Sequence, residues 1–402
     1  MEQNHMGLKV LMLAWEYPPR LVGGLARVVY AISKELASQG CEVHVVTADH
    51  PGTPEYIFEE GVHVHRVKNQ TGPDGNEALT VDFINWISRL NFGILQHAIK
   101  LHQQSPFDVV HAHDWLVADA AWTMKSFGVP VVSTIHATEF GRNRGSLASQ
   151  TSKVIDQVEW RLIQESAQVI VNSRHMLAEV KNHFGTPAEK VEIIPNGIDA
   201  DRFKCQTSEE QLRAKHGIGD GPVTLFVGRL VEEKGIQVLL DAAPRILEQH
   251  PDATFVIAGS GYYQSALEQK ASALGIAGSV RFFGHADDTA LSELYTMADA
   301  VAVPSLYEPF GIVALEGMAA GVPTVTSDTG GLMDIIDHLN NGLTTYAGNP
   351  ESVAWGLLQV LNNQEVAARI GKQGRAHVIE HYSWQTISSR TLALYQRAVE
   401  EE

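Results

Sequence analysis

Short apolar, β-branched runs alternate with amphipathic stretches along the whole chain. In the first half they fall at 8–14, 42–47, 62–67, 108–111, 131–135, 168–172 and 191–194. Most are apolar at every position rather than at alternate ones, which predicts strands buried on both faces, as in a parallel sheet. Helical periods lie between them, and the stretch 25–38 runs to Gly40, a glycine placed to end it. The pattern begins afresh at 223–227, 254–258, 280–283, 300–303, 324–326 and 343–346, with helices over 236–248 and 289–297. Between the halves, 195–221 has turn residues at Pro195, Asn196 and Gly197 and no apolar run of strand length. Two such series in tandem predict two doubly wound parallel-sheet α/β domains.

From Pro350 onward the strand signal stops and helices run to the end, the last over 384–399. Trp384, Ile387, Leu392, Leu394 and Tyr395 give that helix one broad apolar face, which needs a partner. The reading divides the chain into 1–199, 200–380 and a terminal helix, 381–402, packed on the first domain. No repeat of 20–50 residues and no low-complexity tract interrupts it. The segment 69–79 reads as a polar, glycine-containing loop. The helix after it carries Trp86, Leu90, Ile94, Leu95 and Ile99, a stripe that reads as core first and as an acceptor-facing surface second.

Composition narrows the class. With 402 residues, two domains are expected, and 44% hydrophobic against 19% charged residues supports packed cores rather than disorder. No apolar run approaches the length of about 18 residues that a membrane span needs. The start, MEQNHMGLKV, lacks a basic region before its apolar run and is not expected to be a signal peptide. Cys41 and Cys205 are too few for a disulfide framework, so free thiols and a cytoplasmic setting are expected. A net charge of −17 argues against binding nucleic acid or anionic lipid by bulk charge.

In open parallel sheets, ligands sit outside the carboxyl ends of the strands, so residues just after strands matter most. After the first strand, Trp15–Gly24 leads into a helix. Its paired Gly23 and Gly24 suit either backbone N–H contact with an anion or a tight turn needing a positive φ. After the strand at 223–227 come Arg229 and Lys234, five residues apart. Such a pair can clamp a diphosphate, the guanidinium as a fork and the ammonium as a point charge, or else pair with Glu232 and Glu233 in solvent. After the strand at 300–303, Glu308 lies in a loop before Gly311, with Glu316 further along the following helix. Two carboxylates so placed can contact two parts of one extended ligand, such as hydroxyls of a sugar and of a ribose. His113 and Asp114 follow one strand and His136 another. His63 and His65, like His111 and His113, form H-x-H pairs, but no third ligand stands at a recognisable spacing, and no metal site is expected. Gly259-Ser260-Gly261 lacks the third glycine of a dinucleotide fingerprint. Asp199-Ala200-Asp201 lies in the interdomain segment and is rejected as a metal site. The sequon Asn69-Gln70-Thr71 has no secretory context.

The motifs VGGLARV, HAHDW, STIHATE, IPNGID, VGRLVEEKG and PSLYEPFGIVALEGMAAGVPTVTSDTGG, in this order, resemble retaining glycosyltransferases of the GT-B fold, and among them family 4 and the glycogen and starch synthases. The resemblance covers nearly the whole chain. It implies two Rossmann-like domains facing a central cleft, a hinge after Asp199 and a C-terminal helix crossing back to the first domain. It implies a nucleotide-diphospho-sugar donor, ADP-glucose or UDP-glucose, and no metal cofactor. Arg229 and Lys234 would hold the diphosphate, Glu316 the ribose and Glu308 the donor sugar, with Phe310, Gly311 and Ile312 completing the donor site. Gly23 and Gly24 would bring N–H groups to the phosphate, His136 would contact the donor sugar, and Asp114 would lie towards the acceptor. The acceptor implied first is an α-glucan, and second a small molecule, lipid or cell-envelope glycan. One position departs from the synthases: Leu21 stands where they typically carry Lys, two residues before the glycine pair. A nucleotide-sugar epimerase and a non-catalytic sugar-binding protein are the competing readings, and acceptor-dependent release of nucleoside diphosphate separates both from a transferase.

Overall fold

In the computed structural model the residues described are 7–69, 81–203, 205 and 207–401. They form two compact units, one of residues 1–197 with 384–402 and one of 198–383. Ile198 and Ser383 pair as an isolated bridge, and the Ile198 N–H donates to the Tyr382 carbonyl at 2.7 Å, which ties both crossing segments to the second unit.

The first unit holds eight strands: β1 (Lys9–Leu13), β2 (Glu42–Ala48), β3 (Tyr56–Glu59), β4 (Val62–Val67), β5 (Val109–His113), β6 (Val131–Ile135), β7 (Gln168–Val171) and β8 (Val191–Ile193). They lie in the order β3-β4-β2-β1-β5-β6-β7-β8, all parallel except β3, which runs antiparallel to β4. That edge strand was missed in the pattern: it is four residues long, and its Tyr56 and Phe58 face solvent. Side chains alternate between two cores. Leu11 and Leu13 enter one and Val10 and Met12 the other, so a strand apolar at every position is what two covered faces require. Trp86, Leu90 and Ile94 are buried in the first of these cores, so the stripe after residue 80 is packing. The terminal helix Trp384–Glu400 covers the second, with Ile387, Leu394, Tyr395 and Ala398 against Val29, Ile32 and Leu36. The polar loop read at 69–79 and the sequon lie, but for Asn69, outside the described residues.

The second unit holds β9 (Val223–Val227), β10 (Thr254–Ala258), β11 (Val280–Gly284), β12 (Ala300–Val303), β13 (Thr324–Ser327) and β14 (Leu343–Thr345), all parallel in the order β11-β10-β9-β12-β13-β14. Four of its described helices start where the sequence supplies a side-chain acceptor: Ser208, Asp287, Asn349 and Asn363 each accept an N–H of the first turn. In each sheet the strand order reverses beside the first strand, between β1 and β5 and between β9 and β12. The crevice at such a reversal is where doubly wound sheets hold ligands.

Candidate active site

In the second unit the loops after β9 and β12 meet at that reversal. The β9 loop runs through a short 3-10 turn, Glu232–Lys234, to Gly235, which has φ +70° and starts the helix Ile236–Leu247. A Cβ on Gly235 would stand 1.9 Å from the Pro304 carbonyl oxygen, so only glycine lets the two loops touch. The Glu233 carbonyl accepts the Leu306 N–H at 2.8 Å, which stitches the contact. Lys234 and Glu308 are thereby brought together: Lys234 Nζ donates to Glu308 Oε2 at 2.8 Å, and Ser305 Oγ donates to the same oxygen at 3.1 Å. The loop after β13 clamps Glu308 from behind. Its carbonyl accepts the Gly331 N–H at 2.9 Å, and Gly330, at φ +54°, passes so close that a Cβ would lie 1.9 Å from it.

Gly235→Ala is therefore expected to destabilise the fold by about 2–3 kcal/mol, through the positive φ and the overlap with Pro304 together. Urea unfolding measures this, and a midpoint shift equivalent to less than about 0.5 kcal/mol would show that the loops separate easily.

Glu316 lies just over one turn along the helix Ile312–Ala319, which Gly311 caps at φ +116°. Its carboxylate is 4% exposed and accepts the Tyr295 hydroxyl at 2.9 Å. Arg229 is half-exposed and meets Glu233 at 3.4 Å, a long contact that leaves the guanidinium able to turn to an anion. The Phe310 ring is buried in the apolar core near Tyr382.

In the first unit, buried carboxylates hold the backbone after β1 and β6. Glu16, 2% exposed, accepts the N–H groups of Val22 at 2.6 Å and Gly23 at 3.1 Å. Burial pushes its pKa up to about 7, against the pull of those N–H groups and of Arg20. A phosphate approaching the Gly23–Gly24 turn thus competes with Glu16 for the Gly23 N–H. Arg20 does not replace the lysine absent at Leu21, because its guanidinium stacks over the Trp15 and Trp86 rings at 5.6 and 5.2 Å.

Asp114 sits at φ +63°, a strained value for a residue with a side chain, and its Oδ1 accepts the His136 N–H at 2.8 Å. This carboxylate positions the histidine loop. His136 Nε2 lies 3.2 Å from His113 Nδ1, and His111 bonds Tyr395 and Thr134 at 2.6 and 2.7 Å. Burial pushes all three histidines down, so they are neutral imidazoles near pH 7. Both oxygens of Glu159 accept the Glu139 N–H at 3.0 Å, and burial raises the Glu159 pKa well above its ordinary value.

Glu16, Glu159 and Tyr295 had not been singled out in the sequence. The signal for the two glutamates was present, since each is an acid among apolar neighbours on an inward-facing position. Tyr295 carries none, being one aromatic on an amphipathic helix.

The H-x-H pairs are bound into hydrogen-bonded networks. Glu42, His44 and His63 bring ligand atoms within 4.8 Å of one another, a third group that the spacing along the chain hid. The His44 and His63 rings stack with centroids 4.4 Å apart and planes 9° apart, so the two ring planes do not meet within bonding distance of a shared ion. Glu42 is also held by Lys9 at 2.7 Å.

Residues 22–202 match the model described as Glycosyltransferase Family 4, and residues 208–377 that of Glycosyl transferases group 1. The chain is 40% identical to an uncharacterised glycosyltransferase of Methanocaldococcus jannaschii over 98% of this chain and 99% of that one. It is 35% identical to the glycogen synthase of Mycobacterium tuberculosis, over 97% and 95%. Among solved structures, the sucrose-phosphate synthase of Thermosynechococcus elongatus superposes with a TM-score of 0.84 at 23% identity, covering 98% of this chain and 100% of that one. The catalytic domain of starch synthase IV of Arabidopsis thaliana, bound to ADP and acarbose, gives 0.77 at 21%, with the same coverage. The chain therefore belongs to the glycosyltransferases of the GT-B fold, in the family 4, glycogen synthase-like group.

Proposed function

We propose that the chain is a retaining hexosyltransferase that moves glucose from a nucleotide-diphospho-sugar to an acceptor hydroxyl, and that the acceptor is an α-glucan. The observation that carries this is the Lys234–Glu308 pair, built from the loops after β9 and β12 where the strand order reverses, with Arg229 on the first of these loops and Glu316 on the helix after the second. Transfer breaks the bond between the anomeric carbon and the diphosphate oxygen, and charge grows on the phosphate as the sugar becomes oxocarbenium-like. Arg229 and Lys234 are cations suited to stabilise that charge, the part a metal ion plays elsewhere. Lys234 is held by Glu308 in the structure, and in this reading an arriving diphosphate takes over the ammonium while Glu308 turns to the donor sugar. The acceptor oxygen then bonds to the anomeric carbon on the same face, and its proton passes to the leaving phosphate. In this reading His136 serves the donor sugar, Asp114 serves the acceptor side through its hold on the His136 loop, and the Gly23–Gly24 turn serves the phosphate.

The glucan acceptor draws support from the M. tuberculosis relative. Leu21, exposed where the synthases typically have Lys, favours one second reading, a smaller acceptor. No described helix is long and apolar enough to cross a membrane, and with Cys41 and Cys205 as free thiols we place the enzyme in the cytoplasm.

The reading is tested by thermal stabilisation with ADP, UDP, GDP and their glucose conjugates, each with and without Mg²⁺. A shift selective for one nucleotide-sugar and independent of Mg²⁺ is expected, because binding to the native state raises its melting temperature. No shift with any of them at millimolar concentration would remove the donor site. With the donor identified, release of nucleoside diphosphate on adding maltooligosaccharides or inositol phosphate distinguishes the two acceptors.

A further inference from the structure

Alternate residues of a strand share a face, so β5 sets His111 and His113 on the same side of the first sheet. The helices Gly24–Ser38 and Trp384–Glu400 cover that side. His111 is fully served there: one ring nitrogen meets the Tyr395 hydroxyl of the terminal helix, and the other meets Thr134 of β6. Two residues further along β5 the cover changes. It presents Ile32 and Ile387, and a Thr391 hydroxyl that is turned to the Ile387 carbonyl at 3.0 Å.

At that point His113 and Asn172, the residue just past β7, line a cavity of about 20 Å³. They are 1% and 3% exposed, and neither His113 Nε2 nor Asn172 Oδ1 has a hydrogen-bond partner among the described residues. Turning the side chains does not cure this. The Asn172 amide is fixed by its Nδ2, which donates to the Ile194 carbonyl at 3.0 Å, and the His113 ring by its Nδ1, 3.2 Å from His136 Nε2. Asn172 also favours the protonated form of His136 against the effect of burial, without a hydrogen bond closing between them.

Two polar atoms withdrawn from water and left unpaired are costly, and cavities that stay dry are lined by apolar groups. A volume of about 20 Å³ admits one water molecule and not two. The chemistry of the two atoms selects the same occupant. An amide oxygen only accepts, which excludes an anion, and a metal ion would need more ligands than these. Burial keeps His113 neutral, so its Nε2 donates in one tautomer and accepts in the other. Water meets either case while donating to the amide.

We infer that this cavity is a built water site: one molecule bridges His113 Nε2 to Asn172 Oδ1 and joins the end of β5 to the end of β7 beneath the terminal helix. Enclosed by the two helices, that molecule exchanges with solvent only when the seam between helix and sheet opens.

A high-resolution crystal structure of the full chain tests this, together with one of His113→Phe, which keeps a ring of similar size and removes Nε2. The wild-type map is expected to hold a single fully occupied peak about 2.7–3.2 Å from both atoms. The peak should be lost in His113→Phe, because a buried water needs at least two polar partners. If the variant does not fold, magnetisation transfer from water to the His113 ring protons in the wild-type protein gives the same information, and a long-lived water contact is expected. A wild-type map without the peak would overturn the inference, as would Asn172 Oδ1 bonded directly to His113 or His136. A peak unchanged in His113→Phe, or ring protons with no long-lived water contact, would overturn it too.

Discussion

Replacing Lys234 by alanine is expected to lower turnover by about 10²–10³, the usual loss when one group that stabilises developing transition-state charge is removed. Two effects have to be kept apart, because the same ammonium also neutralises Glu308, which is only 8% exposed. Without its partner that carboxylate stays buried beside Ser305 with its charge uncompensated, and stability should fall as well. The double variant Lys234→Ala with Glu308→Gln removes both charges and should recover much of the stability without recovering turnover. Arg229→Ala is expected to reduce turnover comparably with almost no change in melting temperature, since an exposed pair at 3.4 Å contributes little to the fold. Near-normal turnover in a folded Lys234→Ala enzyme would take the lysine out of the diphosphate site.

Glu16 is expected to make the protein less stable as the pH rises from about 4.5 to about 7. Its pKa is raised from 4.5 to about 7 by burial, so in that window the folded protein retains a proton that the unfolded chain has released. The loss should approach about 3 kcal/mol by pH 7 and level off above it. The buried histidines act in the opposite sense. His111, His113 and His136 are pushed below 6.5, so their contribution is present above pH 6.5 and lost as the pH falls. The measured curve is the sum of these effects, and the difference between the wild-type protein and Glu16→Gln isolates the glutamate. Urea unfolding at pH 5, 6, 7 and 8 should show the glutamine variant gaining on the wild type as pH rises and then running parallel to it. Parallel curves across the whole range would mean that Glu16 ionises as freely in the fold as in solution. A functional consequence follows from its two N–H partners. Under the proposed role of the Gly23–Gly24 turn in holding phosphate, an ionised Glu16 would grip the turn more firmly and repel the anion, so donor KM should rise across the same interval in the wild type and not in Glu16→Gln.

Strands, helix faces and the two-unit plan follow from local chemistry, and the sequence alone determined them. An apolar run long enough for one strand and bounded by glycine or a capping residue admits few conformations, which is why 62–67, 131–135, 223–227, 254–258 and 300–303 match the observed strands residue for residue. The residue types after those strands also raised the expectation of an anion site in the second unit, because Arg229 and Lys234 stand where a doubly wound sheet presents its ligands.

What those residues touch was decided only by the tertiary structure. Lys234 and Glu308 are 74 residues apart, and their contact depends on a glycine at 235 that lets one loop pass against the carbonyl of another. The Gly23 N–H was legible as an anion donor, yet the fold gives it to Glu16. Asp114 was legible as a polar residue at a strand end, yet the fold uses its carboxylate to hold the His136 backbone. Phe310 belongs by its position to the donor loop and by its ring to the core. His44 and His63 come face to face only because β2 and β4 run parallel in that register. The physical reason is the same in each case. Backbone conformation is set mainly by neighbours in sequence. Desolvation and hydrogen-bond partners are set by neighbours in space, and these decide whether a buried acid is a ligand contact, a clamp on a loop or a proton store.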